Sequence, residues 1–259
     1  MMIEYKLTQA FPALKLFTTT RRGGVSKGNY AAFNISPFSG DQQEDFNENL
    51  KLLSRELKID AGNIIFPYQM HQTEVRKIDA GFMQLSEDER KAYLHGIDAL
   101  VTGLPGICIG VTTADCVPVF LYDDTRKVAA VAHAGWRGTC AGIVTETIRI
   151  MQTDYGCSPN DIYAVIGPSI SVNVYQVGEE LYTAFQEQNF PVDTIFTRNA
   201  QGLFLDLWKA NEYLLLNCGI PASHIEIAGR CTYTEHDVFF SARRLGIKSG
   251  RMLSGVMMM

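Results

Sequence analysis

The chain has 259 residues, of which 46% are hydrophobic and 20% are charged, the proportions of an ordinary soluble globular protein. Its formal net charge of −5, without a block of lysine and arginine, argues against nucleic acid or an anionic membrane as a partner. The N-terminal residues lack the apolar segment of a signal peptide, and no run of about 18 apolar residues predicts a transmembrane helix. We therefore expect a soluble, cytoplasmic protein, a monomer or small homo-oligomer, folded as a single domain over residues 1–259.

The order of apolar and polar segments predicts an α/β fold. A helix over 43–59 places Phe46, Leu50, Leu53 and Leu57 on one face. Apolar, β-branched runs bounded by Gly, Pro or Asp predict strands at 99–102, 107–112, 117–122, 128–132 and 162–167. Further helices are predicted over 139–155, with Thr139 as N-cap, and over 178–188 and 206–218. Residues 225–244 predict two short strands, and Met257–Met259 predict a frayed end.

Three potential metal ligands stand at predicted strand ends. His71 in YQMHQTEV and Cys116 in TTADCVPVFLY precede strands, and His133 follows the apolar run VAAVA. Strand ends are where α/β folds place their sites. Two imidazoles and one thiolate suit zinc, and three protein ligands leave the fourth position open, as in catalytic zinc sites. Their long spacings match no zinc-finger pattern. The residues alone are therefore also compatible with the alternative that Cys116 is a buried thiol and that the two histidines are only hydrogen-bonded.

Polar residues beside these ligands are candidates for binding and catalysis. Asp115 precedes Cys116, where it could orient an imidazole, transfer protons or cap the strand. Arg137 leads into the predicted helix after His133, and a helix N-terminus with an arginine suits an anion. Arginine-bearing loops at 18–26 and 239–251, the latter with Arg243, are further candidates. A salt bridge or a solvated turn is the alternative for each arginine.

Two other enzyme classes compete with the zinc site. A Cys116–His133 pair could be the activated nucleophile of a cysteine hydrolase, and a ligating thiolate would not be free for that role. A multicopper laccase is disfavoured because the chain has five histidines and no H-x-H pair. Six cysteines without paired spacing predict buried thiols rather than disulfides. Cys231 and His236 could line the site, although core packing is the alternative, and Asn34 is a candidate for ribose or base contact.

Several segments resemble the YfiH-like family, whose members are called laccase-domain or polyphenol oxidase proteins and are described as purine nucleoside phosphorylases. The resemblance extends over nearly the whole chain and is carried by MHQTEV, DALVT, TTADCVPVFLYD, AVAHAGWRGT, IGPSISVNVYQVG and CTYTEHDVFFSARRLGIKSGR. It implies a four-layer α/β/β/α fold with mixed sheets, of the kind found in cysteine hydrolases. It also implies zinc held by His71, Cys116 and His133.

The activity implied by this resemblance is phosphorolysis of adenosine, inosine and guanosine to the free base and ribose 1-phosphate. Adenosine deamination and phosphorolysis of 5′-methylthioadenosine are implied as well. We hypothesise that Arg137 and Arg243 help to hold phosphate and that Asp115 moves the proton during deamination. The chain lacks the H-x-E and P-C-x-x-C motifs of the usual zinc base deaminases, so their mechanism does not transfer. Copper-dependent polyphenol oxidation stays a less favoured alternative.

Overall fold

The strands form a five-stranded, a six-stranded and a three-stranded sheet. The computed structural model describes residues 1–259. The strands are β1 (Met2–Glu4), β2 (Leu14–Thr19), β3 (Ile64–Ile65), β4 (Val75–Lys77), β5 (Ala99–Thr102), β6 (Cys108–Thr113), β7 (Val117–Asp123), β8 (Val128–Ala134), β9 (Ile162–Ile166), β10 (Gln176–Val177), β11 (Phe196–Asn199), β12 (Gly202–Leu205), β13 (Ile225–Ile227) and β14 (Met252–Met258).

The helices are mostly short and lie between these strands in the chain. They are α1 (Lys6–Ala10), α2 (Gln43–Leu57), α3 (Ala80–Gln84), α4 (Glu87–Tyr93), α5 (Trp136–Cys140), α6 (Ile143–Tyr155), α7 (Glu179–Glu187), α8 (Val192–Ile195), α9 (Leu207–Asn217) and α10 (Ala242–Leu245). No helix combines the length and the hydrophobicity that traversing a bilayer would require.

Two mixed sheets packed face to face form the centre of the molecule. The five-stranded sheet has the order β1-β2-β14-β6-β3, and the six-stranded sheet has the order β13-β9-β7-β8-β5-β4. One apolar cluster fills the space between the two sheets, a second packs α2 on the five-stranded sheet, and a third packs α6 and α9 on the six-stranded sheet. This arrangement confirms the expected four-layer α/β/β/α fold with mixed sheets.

The side chains of β6 and of β8 point alternately into the space between the sheets and toward the helices, as the two-residue period of a strand requires. On β6, Ile109 and Val111 belong to the cluster between the sheets, whereas Cys108 belongs to the cluster under α2. On β8, Val131 faces the space between the sheets and Ala132 faces the helices. Strands this apolar on both faces are buried on both sides, which explains their continuous hydrophobic runs.

The five strands predicted between residues 99 and 167 are confirmed, with ends that differ from the prediction by at most two residues. The same holds for the helices predicted over 43–59, 178–188 and 206–218, which correspond to α2, α7 and α9. The sequence did not predict the strands of the N-terminal segment or the three-stranded sheet β10-β12-β11. Most of these strands have four residues or fewer, so they carry little hydrophobic periodicity. The exception is β2, which has six residues and lies between β1 and β14, and whose apolar run is interrupted by Lys15, Thr18 and Thr19.

The prediction of one helix over 139–155 is wrong, because the segment forms α5 and α6 with a break between them. Gly142 interrupts the helix with a left-handed φ of 82°, a conformation that glycine adopts without steric cost. Thr139 is not the N-cap. It lies inside α5, which starts after Gly135, and its buried hydroxyl donates to the carbonyl of Ala134 at 3.2 Å.

Two predictions for the C-terminal part are also wrong. Residues 225–244 contain one strand, β13, followed by turns and the start of α10, rather than two strands. Met257–Met259 is not a frayed end, because β14 includes Met257 and Met258 and pairs with β2 on one side and β6 on the other. Terminal residues usually fray, but these are ordered because they pair with β2 and β6, which are distant in the chain.

Substituting Gly255 with alanine should destabilise the protein, because the added Cβ would lie 2.6 Å from the Phe17 ring and 2.9 Å from the Cys108 sulfur. Overpacking of this kind costs about 1–3 kcal/mol. Gly62→Ala is the matched control, since nothing lies within 4 Å of its Cβ position. Denaturant unfolding of both variants measures the difference, and equal free energies of unfolding would contradict the central position of β14.

Candidate metal centre

The three predicted ligands lie together at one end of the six-stranded sheet. The donor atoms of His71, Cys116 and His133 all lie within 4.8 Å of one another. The Cys116 sulfur is 3.9 Å from Nε2 of His71, and the two imidazole centroids are 4.7 Å apart. Only small side-chain adjustments separate this spacing from what zinc bonds of about 2.0–2.3 Å require. The fold therefore assembles the donor set that the sequence suggested.

Strand register brings two of the ligands together. His133 is the next-to-last residue of β8 and pairs with Pro118 of β7, so Cys116 lies just beyond the pair formed by Val117 and Ala134. The antiparallel pairing thus places the residue that precedes β7 beside the residues that follow β8. The third candidate ligand, His71, comes from the loop before β4, which is an edge strand of the same sheet two strands away from β8.

Asp98, which the sequence analysis did not select, connects the ligands. Its fully buried side chain accepts a hydrogen bond from Nδ1 of His133 at 2.8 Å. It also accepts hydrogen bonds from the backbone N–H groups of Met70, His71 and Gln72 at 2.8–3.2 Å. A carboxylate on the second ring nitrogen is the usual partner of a metal-binding histidine, because it fixes the tautomer and leaves Nε2 for the metal.

The same carboxylate supports an unusual backbone conformation at His71. His71 has a φ of +60°, the left-handed region that costs a non-glycine residue about 1–2 kcal/mol. Three consecutive N–H groups converge on Asp98 only in such a conformation, and hydrogen bonds to a buried charge offset the cost. The strain is thus local to a candidate metal ligand, as is common at functional sites.

Gly135 lets the backbone approach the donors closely. A Cβ at this position would lie 2.9 Å from the Cys116 sulfur and 3.2 Å from Cδ2 of His71. At Gly138 a Cβ would lie 3.3 Å from the carbonyl oxygen of His133. Both glycines of the motif HAGWRG therefore make room for the metal-binding side chains and their backbone.

The charges of the metal-free centre favour a Cys116 thiolate beside a protonated His133, which must release its proton when a metal binds. Burial opposes ionisation of the Cys116 thiol, but the neighbouring His133 and His71 outweigh it and lower its pKa to about 6. Burial likewise opposes protonation of His133, but the Cys116 thiolate and Asp98 raise its pKa to about 9. Burial raises the pKa of Asp98, but its hydrogen bonds from His133 and from the loop lower that pKa by more, so the net shift is a decrease. A thiolate, the form that binds metals, is thus available at neutral pH.

A cleft of about 770 Å³ opens over the three donors. One wall carries the exposed rings of Phe38 and Tyr68, which meet edge to face with centroids 4.8 Å apart. Another part carries Lys248 and Arg251. The cleft thus combines a metal-binding floor, aromatic surface and positive charge, which are the elements of a site for a planar, anionic or phosphate-bearing ligand.

The structure places Asp115 beside the centre with its carboxylate fully engaged. It accepts hydrogen bonds from the hydroxyls of Thr232 and Ser241 at 2.6 and 3.0 Å and from the backbone N–H of Arg243 at 2.6 Å. Its backbone has a φ of +86°. These contacts anchor the C-terminal segment against the residue that precedes Cys116.

The two predicted arginines flank the centre rather than line the cleft above it. Arg137 is exposed and lies over the Trp136 ring, 4.3 Å from its centroid. Arg243 lies over the Tyr175 ring at 5.1 Å and donates to the carbonyl of Gln176. Burial and the nearby Cys116 thiolate raise the pKa of Tyr175 to about 12, while both arginines act in the opposite direction.

The remaining candidates lie outside the donor cluster. Asn34 is fully buried, its amide donates to Ser36, Ser39 and Asp41, and its carbonyl oxygen accepts from the backbone of Arg251. It thereby supports the loop that carries Phe38. The thiol of Cys231 accepts from the backbone of Ser171 in the interior, and His236 is exposed.

Sequence reasoning missed Asp98 and the aromatic wall. Asp98 stands in GIDALVT at the start of an apolar strand, and a carboxylate in such a run is a signal in itself, because charges are rarely buried unpaired. The sequence around Phe38 and Tyr68 does not indicate a binding role, because the two rings form one surface only when two distant loops come together.

Comparison with known proteins assigns the family. The family described as "Multi-copper polyphenol oxidoreductase laccase" matches residues 15–259. The chain belongs to this family. The fold agrees, since the crystal structure of the Bacillus licheniformis hypothetical protein YfiH superposes with a TM-score of 0.92 at 31% sequence identity, covering 100% of this chain and 96% of that one. The expected YfiH-like membership is thereby confirmed.

Relatives of this chain carry enzyme names. A protein of Bacteroides thetaiotaomicron named purine nucleoside phosphorylase is 45% identical over 99% of this chain and 96% of its own length. Adenosine deaminase RL5, from an unknown prokaryotic organism, is 40% identical over 98% of this chain and 99% of its own length. Proteins similar to this chain over their full length are therefore named as enzymes that act on purine nucleosides.

Replacing Asp98 with asparagine should lower metal affinity about 10- to 100-fold, the usual effect of losing such a hydrogen-bond partner of a ligand. The amide keeps the side-chain shape but loses the charge and presents N–H groups to the donors of the loop. Competition with a chromophoric chelator for Zn²⁺ measures the affinity. Asp206→Asn is the control, because Asp206 is a buried aspartate that caps α9 away from the centre. Equal affinity in wild type and Asp98→Asn would contradict the assigned role.

Alkylation of the metal-free protein should distinguish Cys116 from the other thiols. Because its folded pKa is depressed, the reactive thiolate is present above pH 6 and is lost as the pH falls through about 6. Cys108, whose pKa burial raises to about 12, should stay unmodified. Iodoacetamide labelling followed by peptide mass spectrometry gives both rates against pH. Prior addition of Zn²⁺ should protect Cys116, and a labelling midpoint near pH 8.5 would show that the two histidines do not stabilise the thiolate.

Proposed function

We propose that the protein is a zinc-dependent purine nucleoside phosphorylase, which converts adenosine, inosine or guanosine and phosphate into the free base and ribose 1-phosphate. The observation that carries the proposal is the cleft itself, in which a His/Cys/His donor set, an aromatic wall and cationic side chains face one another. The names of the full-length relatives support the choice of purine nucleosides.

The aromatic wall suits the purine. Phe38 is 52% exposed and Tyr68 is 40% exposed, so both rings are accessible to a ligand that enters the cleft. A base that stacks on such a ring gains about 1–3 kcal/mol. The imidazole of His95 stacks behind Tyr68 with centroids 5.0 Å apart, and this contact helps to hold the phenol ring in place.

Cationic groups on two sides suit the phosphate. Lys248 lines the cleft and is exposed, so its ammonium group is available to an anion. Arg251 lines the cleft as well, although its guanidinium donates to the backbone of the loop 247–250. Arg137, over the Trp136 ring, and Arg243, over the Tyr175 ring, add positive charge around the centre. In phosphorolysis, a phosphate oxygen forms a bond to C1′ while the C1′–N9 bond breaks and its electron pair leaves with the purine, which then takes up a proton.

The donor set fits zinc through its softness and number. His71, Cys116 and His133 would hold the ion, Asp98 would keep Nε2 of His133 pointed at it, and one position would stay open. Zinc bound there supplies a Lewis acid for an oxygen of the substrate or of water. The Cys116 thiolate and the buried Asp98 carboxylate would together balance the two positive charges of the ion, so the attraction of phosphate would come from the open coordination position and the cationic side chains around the cleft.

Adenosine deamination is the second activity that we propose, because a relative named for it is 40% identical over nearly the whole chain. Phosphorolysis of 5′-methylthioadenosine needs only room at the ribose 5′ position. The three hydrogen bonds that Asp115 accepts favour a positioning role over proton transfer. Asp115 would hold Cys116 and the Arg243 segment in place.

Two alternatives use the same residues differently. A cysteine hydrolase would use Cys116 as nucleophile with His133 as base and Asp98 as its orienting partner. The hydrogen bond between His133 and Asp98 fits this order, whereas the Cys116 sulfur has its hydrogen-bond contact with His71. Copper-dependent polyphenol oxidation follows from the family description. Only two of the five histidines belong to the donor cluster, whereas His224 stacks on Tyr163, so the donor set favours a single ion.

A paired measurement on the purified protein tests the proposal. Metal content is determined by mass spectrometry, and hypoxanthine release from inosine is followed with and without phosphate. We expect about one zinc per chain and release that depends on phosphate and yields ribose 1-phosphate. Cys116→Ala should lose both the metal and at least about 100-fold in rate, since it removes a ligand of the centre.

Cys218→Ala is the control, because Cys218 lies on α9's C-terminal end, remote from the donor cluster. Base release that is indifferent to phosphate would identify a nucleoside hydrolase instead. A protein that binds no zinc, releases no base and is readily alkylated at Cys116 would favour the cysteine nucleophile.

A further inference from the structure

Thr113 places a hydroxyl group without a protein partner on the floor of the cleft. It is the last residue of β6, is 1% exposed and lines the cleft together with Cys116 and His133. Its Oγ1 is one of three buried side-chain oxygen or nitrogen atoms in the structure that make no hydrogen bond. Buried polar groups are nearly always paired, so each exception calls for an explanation.

Other buried threonines show that this fold pairs its hydroxyls. Thr18 on the neighbouring part of the same sheet bonds to the hydroxyls of Tyr5 and Ser254 at 2.6 and 2.7 Å. Thr102 donates to the carbonyl of Ile78 at 2.7 Å. A hydroxyl that makes no such bond lowers the stability of the folded state, and valine would fill the same volume without that cost. The hydroxyl of Thr113 is therefore unexplained by folding.

Strand alternation places this hydroxyl beside the metal centre. Ile109 and Val111 of β6, and Ala129 and Val131 of β8, face the space between the two sheets. Continuing the two-residue period, Thr113 and His133 are the next residues on those faces. Both thus end the same buried layer at the point where it opens into the cleft.

We infer that Thr113 is a substrate-binding residue whose hydroxyl exchanges a hydrogen bond with a ribose hydroxyl of the nucleoside. This inference rests on the proposed function. The aromatic wall at the exposed rim suits the base and the exposed Lys248 suits phosphate, so the ribose between them reaches the floor of the cleft. A threonine hydroxyl both donates and accepts, which matches a sugar hydroxyl better than a phosphate, for which lysine and arginine are available.

The test compares wild type, Thr113→Val and Thr113→Ser in phosphorolysis of inosine and its 2′-deoxy, 3′-deoxy and 5′-deoxy analogues. Thr113→Val should raise KM for inosine about 3- to 10-fold, the effect of one neutral hydrogen bond. With the analogue that lacks the partner hydroxyl, wild type and Thr113→Val should have the same KM. Thr113→Ser should restore binding of inosine, and KM for phosphate should not change.

Thermal unfolding distinguishes a substrate-binding role of Thr113 from a structural role, because only a structural role would lower the Tm of Thr113→Val. Thr113→Val should have a Tm equal to or about 2 °C above that of wild type, because it removes an unpaired buried polar group. Thr18→Val is the matched control, since it breaks two hydrogen bonds and should lower Tm while leaving KM unchanged.

Three results would overturn the inference. They are an unchanged KM for inosine in Thr113→Val, an equal loss with inosine and all three analogues, and an increase confined to KM for phosphate. A wild-type protein that releases no base from inosine would instead refute the proposed function, and the ribose assignment would fall with it.

Discussion

The buried carboxylate of Asp98 is the interaction on which the metal centre depends. It accepts one hydrogen bond from the ring of His133 and three from consecutive amides of the loop that carries His71. Removing a carboxylate from water is costly unless it is fully hydrogen-bonded, so strand β8 and the loop before β4 are stable only in the arrangement that completes these bonds. The left-handed conformation of His71 and the orientation of His133 both follow from this one charge.

The packing of two sheets determines where the cleft opens. The layer between the sheets is apolar along its length and ends in polar residues, Thr113 on β6 and His133 on β8. The C-terminal segment then closes one side, because Asp115 accepts hydrogen bonds from Thr232, Ser241 and the backbone of Arg243. The walls of the cleft thus come from segments far apart in the chain, and their spacing is maintained by β14 in the middle of the five-stranded sheet.

The family description and the donor set point to different chemistry, and the donor set is the physical observation. A description as a multi-copper oxidoreductase implies several imidazole-rich copper sites, whereas the structure gathers one thiolate and two imidazoles at one point. His95 and His224 instead stack on tyrosine rings. Since one fold can support unrelated reactions, function is argued from the site, and this site suits a single borderline-soft ion beside a surface for a base and an anion.

The sequence by itself predicted strands β5 to β9, the helices α2, α7 and α9, and the meeting of the three candidate metal ligands, because a buried strand and the residues at its ends are local properties of the chain. Only the tertiary structure decided that β14 is a central strand, that Gly142 separates α5 from α6, and that Lys248 rather than Arg137 lines the cleft. The roles of Asp98 and Thr113 were likewise decided by the tertiary structure. Donors from distant segments meet the carboxylate of Asp98, whereas no protein group reaches the hydroxyl of Thr113. Which groups become hydrogen-bond partners depends on how remote segments pack, and this packing cannot be predicted from the spacing of residues along the chain.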